Sequence, residues 1–221
     1  MKWRLPDSRD FGWKMKSVDS AHTKFSILPY SSYELCIQHD TIRNVTPVML
    51  EWWFKNIKGT MDYQGKTYSK YLVWHPIDHI HWELARTSPN GSAGIGAQFR
   101  IVEAFGGDLN QLVDSTEEVV KLDFTGLKLI RKILGIEVFS LEHQFIPVSN
   151  GTRYISRMQV GAESFIGKYF INPLLHTQVF TKQMGTSWLK HNVEEVGNFE
   201  FFLPKLYASY LSVSELEKSI A

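Results

Sequence analysis

At 221 residues, with 43% hydrophobic and 14% aromatic side chains, the chain is long enough to bury a substantial core and short enough to be one domain. Lys and Arg number 24 against 23 Asp and Glu, a formal charge of +1, so no bulk field is available to hold a polyanion; nucleic acid is excluded as an expected partner and a neutral or aromatic small molecule fits better. One cysteine, Cys36, rules out an intramolecular disulfide and every multi-cysteine zinc pattern, so any metal must rest on His and carboxylate.

The opening residues carry Lys2, Arg4, Asp7, Arg9 and Asp10 with no apolar run behind them, unlike a secretory signal. No span approaches the roughly 20 apolar residues that cross a bilayer. A cytoplasmic protein with no membrane partner is expected. Residues 1–31 mix charges, Pro6, Pro29 and aromatics without a period and read as an irregular leader, whose aromatics are a candidate homodimer surface.

Thr46 can cap a helix with Pro47 at its first position, where the missing N–H costs nothing, and Met49, Leu50, Trp53 and Phe54 give that helix an apolar face. Tyr63-Gln-Gly-Lys-Thr-Tyr reads as a turn feeding a strand over Tyr71–Trp74, which Pro76 stops. Residues 92–105 read as a strand pair or one long strand through Gln98–Phe105. Val119–Phe124, Glu137–Pro147 and Tyr154–Val160 are three more strand-like runs, divided by turns that include Ser149-Asn-Gly. From about Pro173 to Phe199, Leu175, Val179, Trp188, Val193 and Val196 recur among polar residues as in a long helix, with Gly185 and Gly197 leaving its continuity and end open. The expected architecture is a single α+β domain spanning 1–221, in which a curved antiparallel sheet grips a long C-terminal helix around an internal cavity.

Three patterns carry chemistry. His191 and Glu195 stand four apart and project from one helix face, a spacing that lets both bind one ion but that also occurs in solvated pairs; neighbouring Trp188, Val193, Val196 and Phe199 argue for burial, where such groups need a partner. Trp74-His75-Pro-Ile-Asp78-His79-Ile-His81-Trp-Glu83 concentrates three of the eight histidines. His81 reads as outward-facing, whereas Pro76 fixes the turn that aims His75. Glu103 is a lone carboxylate among apolar strand residues, on the face of Ile101 and Phe105; a cation or an arginine such as Arg100 or Arg157 explains it equally, and Glu142 and Glu163 are rivals. His143 and His176 read as hydrogen-bonded core imidazoles.

The Glu51-Trp-Trp-Phe helix, the Trp74-His75-Pro-Ile-Asp78-His79 segment, the Glu103 strand and the terminal His191-x-x-x-Glu195 follow one another as in the diacetylphloroglucinol and phloretin hydrolase-like proteins, a family the chain resembles over roughly residues 45–205. The resemblance implies a START-like helix-grip fold and a zinc hydrolase that breaks the carbon–carbon bond between an acyl group and a phenolic ring. It implies His75, Glu103, His191 and Glu195 as metal ligands. The same donors also suit Fe2+ or Mn2+, and only the resemblance favours zinc. His79 or His143 is then a candidate to protonate the ring carbon, Tyr154 another side chain at the reaction, and Tyr68 and Tyr71 hydrogen-bonding partners for phenolic hydroxyls. Asp78 stands where the family is expected to have an amide that contacts a substrate hydroxyl, implying an altered pocket.

Two other classes stay open. One is a START-like carrier of an apolar ligand, its His and carboxylate groups linked internally. The other is a non-haem iron oxygenase with two His and one carboxylate, against which stands the lack of a Cys/His cluster for a Rieske centre.

Overall fold

A computed structural model describes residues 2–220. Nine strands form one antiparallel sheet: β1 (His22–Ile27), β2 (Tyr33–Gln38), β3 (Ile42–Arg43), β6 (His79–Arg86), β7 (Gln98–Ala104), β8 (Leu112–Asp123), β9 (Gly126–Ile133), β10 (Ile136–Val148) and β11 (Gly151–Val160). Their order is β1-β2-β11-β10-β9-β8-β7-β6, with β3 also on β11. β4 (Thr60–Tyr63) and β5 (Lys66–Ser69) make a separate hairpin. Register shifts at Glu137/Phe139, Val119/Lys121 and His79/His81 add local twist, and the sheet curls round the long helix α4 (Lys182–Ile220).

The Thr46 cap behaves as the sequence implies: its side chain accepts from the Met49 N–H, and α1 (Pro47–Lys55) follows. Leu50, Trp53 and Phe54 enter the main core together with Phe199 and Phe202 of α4 and Trp74. No helix is long and apolar enough to cross a membrane among the described residues.

Four expectations are corrected. Tyr71–Trp74 is not a strand but most of α2 (Lys70–Trp74); a short apolar run lacks the length to tell strand from buried helix, and here Lys70 N–H bonds the Gly59 carbonyl while Tyr71, Val73 and Trp74 are all buried. The leader ends earlier than residue 31, because His22–Ile27 pairs with Tyr33–Gln38. β9 was not foreseen, its Lys128, Arg131 and Lys132 breaking up the apolar pattern. The terminal helix begins at Lys182 and runs well past Phe199. Before it lies a separate wound stretch, π-helical at Gly167–Ile171 and Leu175–Val179 and α-helical at α3 (Asn172–Leu174).

Gly185 does not interrupt α4. It is the place where the helix meets β1 and β2: a Cβ there would lie 2.5 Å from Phe25 Cε2 and 3.4 Å from Leu35 Cδ2. Replacing a helical glycine by alanine ordinarily stabilises by up to about 1 kcal/mol; here overpacking opposes it, and Gly185→Ala is expected to lower stability by about 1–3 kcal/mol. Thermal and urea unfolding of the variant check the sign, and a raised Tm refutes this packing argument.

Candidate metal centre and cavity

β6, β7 and α4 bring four side chains to one point. His79 opens β6 directly across from Glu103 of β7, and His191 and Glu195 reach them from successive turns of α4. One donor atom from each lies within 4.8 Å of the others. His79 Nε2 is 3.4 Å from Glu103 Oε1 and 3.4 Å from Glu195 Oε2; His191 Nε2 is 3.5 Å from Glu103 Oε2 and 3.7 Å from Glu195 Oε2. These separations exceed ordinary hydrogen bonds, and both Nε2 atoms are buried without a hydrogen-bond partner among the described residues.

The opposite ring nitrogens explain why. His79 Nδ1 donates to the Tyr71 carbonyl at 2.7 Å, and His191 Nδ1 to Asp78 Oδ2 at 2.9 Å. With Nδ1 holding the proton of each neutral ring, each Nε2 directs its lone pair at the two carboxylates, the tautomer that hydrogen bonds of this kind impose on metal-binding histidines. Two lone pairs and two carboxylates facing one another need a cation, and this donor set fits a divalent ion held by nitrogen and oxygen.

The carboxylates are positioned as firmly. Tyr71 donates its hydroxyl to Glu103 Oε1 and stacks on His79 with centroids 3.8 Å apart. Asn192 Nδ2 donates to Glu195 Oε1 at 2.5 Å, and Trp74 Nε1 to the Glu195 carbonyl at 2.8 Å. Burial pushes the Glu195 carboxyl up and drives the His79 imidazole well below its ordinary value. His191 is the exception: burial disfavours its cation, but Glu103, Glu195 and Asp78 outweigh it and raise the imidazole to about 10. Without an ion, a proton is the cation this site collects.

The structure places His75 differently from the sequence reading. Its Nδ1 accepts the Asp78 backbone N–H at 3.1 Å, so its proton sits on Nε2, which faces Glu194 Oε2 at 3.5 Å. His75 also groups with Asp78 and His191, but its one lone pair is already engaged, and His79 stands in the four-membered cluster instead. Asp78, expected at the substrate, turns its carboxylate to His191 and to the Gly107 N–H. His79, its Nδ1 proton held by the Tyr71 carbonyl and its Nε2 turned to Glu103 and Glu195, faces the cluster and not a free proton acceptor.

Beside the cluster lies a cavity of about 370 Å³, whose walls include Phe99, Ile101, Leu127, Leu129 and Met158, within the size range of small-molecule sites. Tyr71, Glu103, Glu195 and His143 reach it. His143 is buried, its Nδ1 sharing the Ser156 hydroxyl with His39 Nε2 at 3.0 and 2.9 Å, which leaves its Nε2 for a ligand. Burial lowers His143 to about 3, so it meets the cavity as a neutral imidazole and not as the acid its ordinary pKa implies. Neither Tyr154 nor Tyr68 lines the cavity: Tyr154 is fully buried behind His143, and Tyr68 packs against Phe11. His176 is half-buried, stacked on Tyr33 and bonded to the Ser31 carbonyl, while His81 lies outside between Trp3 and Glu83. Of the rival carboxylates, Glu163 is exposed and Glu142 pairs across the sheet with Arg157. Sequence reasoning missed Asn192, Ser156, His39 and Glu117. Asn192 alone carried a signal, standing beside His191 on a buried helix face.

Solved structures similar in outline include the protein Ms6760 from Mycobacterium smegmatis, 9% identical over 84% of this chain and 98% of that one, TM-score 0.47. Another is major latex-like protein 151 from Panax ginseng, 11% identical over 76% and 95%, TM-score 0.47. No curated protein matches in sequence. The model of the DAPG hydrolase PhiG domain, however, matches residues 28–208, a span that contains all four clustered side chains and the cavity walls named above, and the chain belongs to that family.

Proposed function

We propose that this protein is a metal-dependent hydrolase, its ion zinc, that cleaves the carbon–carbon bond between the acyl carbon and the ring of a polyhydroxylated aryl ketone. The observation that carries the reading is the pair of imidazole lone pairs fixed toward two carboxylates at the wall of an apolar cavity. His79, Glu103, His191 and Glu195 are the proposed ligands. The overall reaction adds water across the bond: hydroxyl goes to the acyl carbon, giving a carboxylic acid, and hydrogen to the ring carbon. When bound, the ion supplies Lewis acidity that activates water and stabilises negative charge on the acyl oxygen.

The protein's own groups set the rest. Apolar walls hold an aromatic ring and exclude bulk water, strengthening every polar contact inside. The Tyr71 hydroxyl fixes Glu103 at the cluster. His143, neutral and with Nδ1 tied to Ser156, offers Nε2 to a ring hydroxyl. Asp78 acts through His191 as a positioning residue.

Elemental analysis of protein purified without added metal, followed by incubation with 2,4-diacetylphloroglucinol and chromatography of the products, tests this reading. The expected result is about one zinc per chain and release of acetate. Iron in its place favours an oxygenase, and no metal favours a carrier. A zinc protein inert toward a panel of acyl phenols sinks the substrate class while leaving the metal.

The ligand set makes a sharper prediction. His79→Ala, His191→Ala and Glu195→Ala are each expected to lose the ion, whereas His75→Ala retains most of it. Loss in His75→Ala with retention in His79→Ala would restore the ligand set read from sequence. Asp78→Asn keeps the shape but weakens the acceptor that holds the His191 Nδ1 proton, and is expected to reduce metal affinity by about 10–100-fold. Competition with a chelator measures it, and unchanged affinity with altered substrate choice would return Asp78 to the pocket.

A further inference from the structure

Glu117 has no part in the cluster, yet it is 4% exposed and lines the cavity. Val113, Ser115 and Glu117 share one face of β8, opposite Glu103, Ile101 and Phe99 of β7, so the cavity wall is two strands of alternating inward residues. Glu103 marks the metal end. Glu117 lies four residues along β8 from Val113, the residue opposite Glu103, a distance of about 13 Å at about 3.3 Å per residue.

Its Oε2 is buried with no hydrogen-bond partner among the described residues. Arg131, also at the cavity, does not take it up: its Nη1 donates to Ser115 Oγ at 2.9 Å, and no ion pair joins Arg131 to Glu117 among the described residues. A buried carboxyl with one oxygen unpartnered is costly, and a ligand that supplies the missing partner removes that cost. Burial raises this carboxyl to about 7 despite Ser115, which favours a hydroxyl over a cation as its partner; the Arg131 guanidinium beside it argues the same way.

We propose that Glu117, flanked by Ser115 and Arg131, is a second polar subsite of the cavity that accepts a hydroxyl of the ligand remote from the acyl group, and so selects aryl ketones hydroxylated at both ends. The inference rests on the aryl-ketone reading above and names the far end of its substrate. Much of the wall between the two ends is apolar, Ile101, Leu127 and Leu129 among it, so recognition there is largely by shape, and discrimination at the far end falls to the hydroxyl, whose absence leaves Glu117 unpaired.

The test measures binding by tryptophan fluorescence and calorimetry with two ketones differing in one group, 2,4,6-trihydroxybenzophenone and its 4′-hydroxy derivative. The parent is expected to bind the 4′-hydroxy compound about ten-fold more tightly. Glu117→Met, similar in size without an acceptor, abolishes that preference by binding the trihydroxy ketone at least as tightly as its 4′-hydroxy derivative, and Glu117→Gln keeps most of it. Glu117→Met is also expected to raise the Tm of the ligand-free protein, because it removes a buried carboxyl whose Oε2 the fold leaves without a partner among the described residues; a lowered Tm means the carboxyl serves the fold, and overturns the proposal. A preference that survives in Glu117→Met, or is absent from a parent that binds both ketones, overturns it while the aryl-ketone reading stands. A parent that binds neither ketone brings down both.

Discussion

The electrostatic frustration at the head of β6 governs the rest of the molecule. Glu103 and Glu195 face each other across the Nε2 atoms of His79 and His191, in a place that water scarcely reaches. Two carboxylates in such surroundings call for a cation. Everything that holds them there works against their repulsion. The bulge between His79 and His81 re-aims one strand, Tyr71 anchors Glu103, Asn192 and Trp74 hold Glu195 from two sides, and Asp78 fixes His191.

Those contacts come from segments far apart in the chain, which is how the fold and the chemistry become one problem. Helix α2 delivers Tyr71, and with it the carbonyl that sets the His79 tautomer; the turn after it delivers Asp78; α4 delivers the rest. Trp74 is the hinge pin of this arrangement. Its ring packs against Trp53, Phe54 and Phe199, its N–H bonds the Glu195 carbonyl, and its own carbonyl accepts from Asn198. The aromatic core thus clamps α2 to α4, so the distance between the strand half and the helix half of the site is set by packing that no ligand needs to supply.

Much of this was legible in the sequence, for identifiable reasons. The Thr46–Pro47 start, the period of α4 and the alternation through Glu103 are local patterns, and the elements they imply are present. His191 and Glu195 were readable as a pair because helical spacing alone puts them on one face. Which of His75 and His79 turns a free lone pair to Glu103 and Glu195 was not readable, since that depends on which ring nitrogen a backbone group occupies: Asp78 N–H fills the His75 lone pair at Nδ1, whereas the Tyr71 carbonyl takes the His79 Nδ1 proton and frees the lone pair at Nε2. Reading Tyr71–Trp74 as a strand hid this, because only a helical turn returns that carbonyl to His79. His39, Ser156 and Glu117 were invisible for a related reason, each acquiring its surroundings from strand register and not from its own neighbours in sequence.

Register also gives the cavity its polarity. Because side chains alternate, moving two residues along β8 keeps a group on the inner face and shifts it about 7 Å down the wall, so Val113, Ser115 and Glu117 form a graded line leading away from the His79–Glu103–His191–Glu195 cluster. Arg131 on β9 lies toward the far end of that line, where its guanidinium offsets the negative potential that Glu103 and Glu195 extend through a poorly screened cavity. Had this cationic group stood beside the cluster, it would have paired with the same carboxylates. Placed away from it, Arg131 leaves Glu103 and Glu195 facing the two imidazoles, so the polar groups of the cavity are divided between its two ends, with apolar walls such as Ile101 and Leu129 between them.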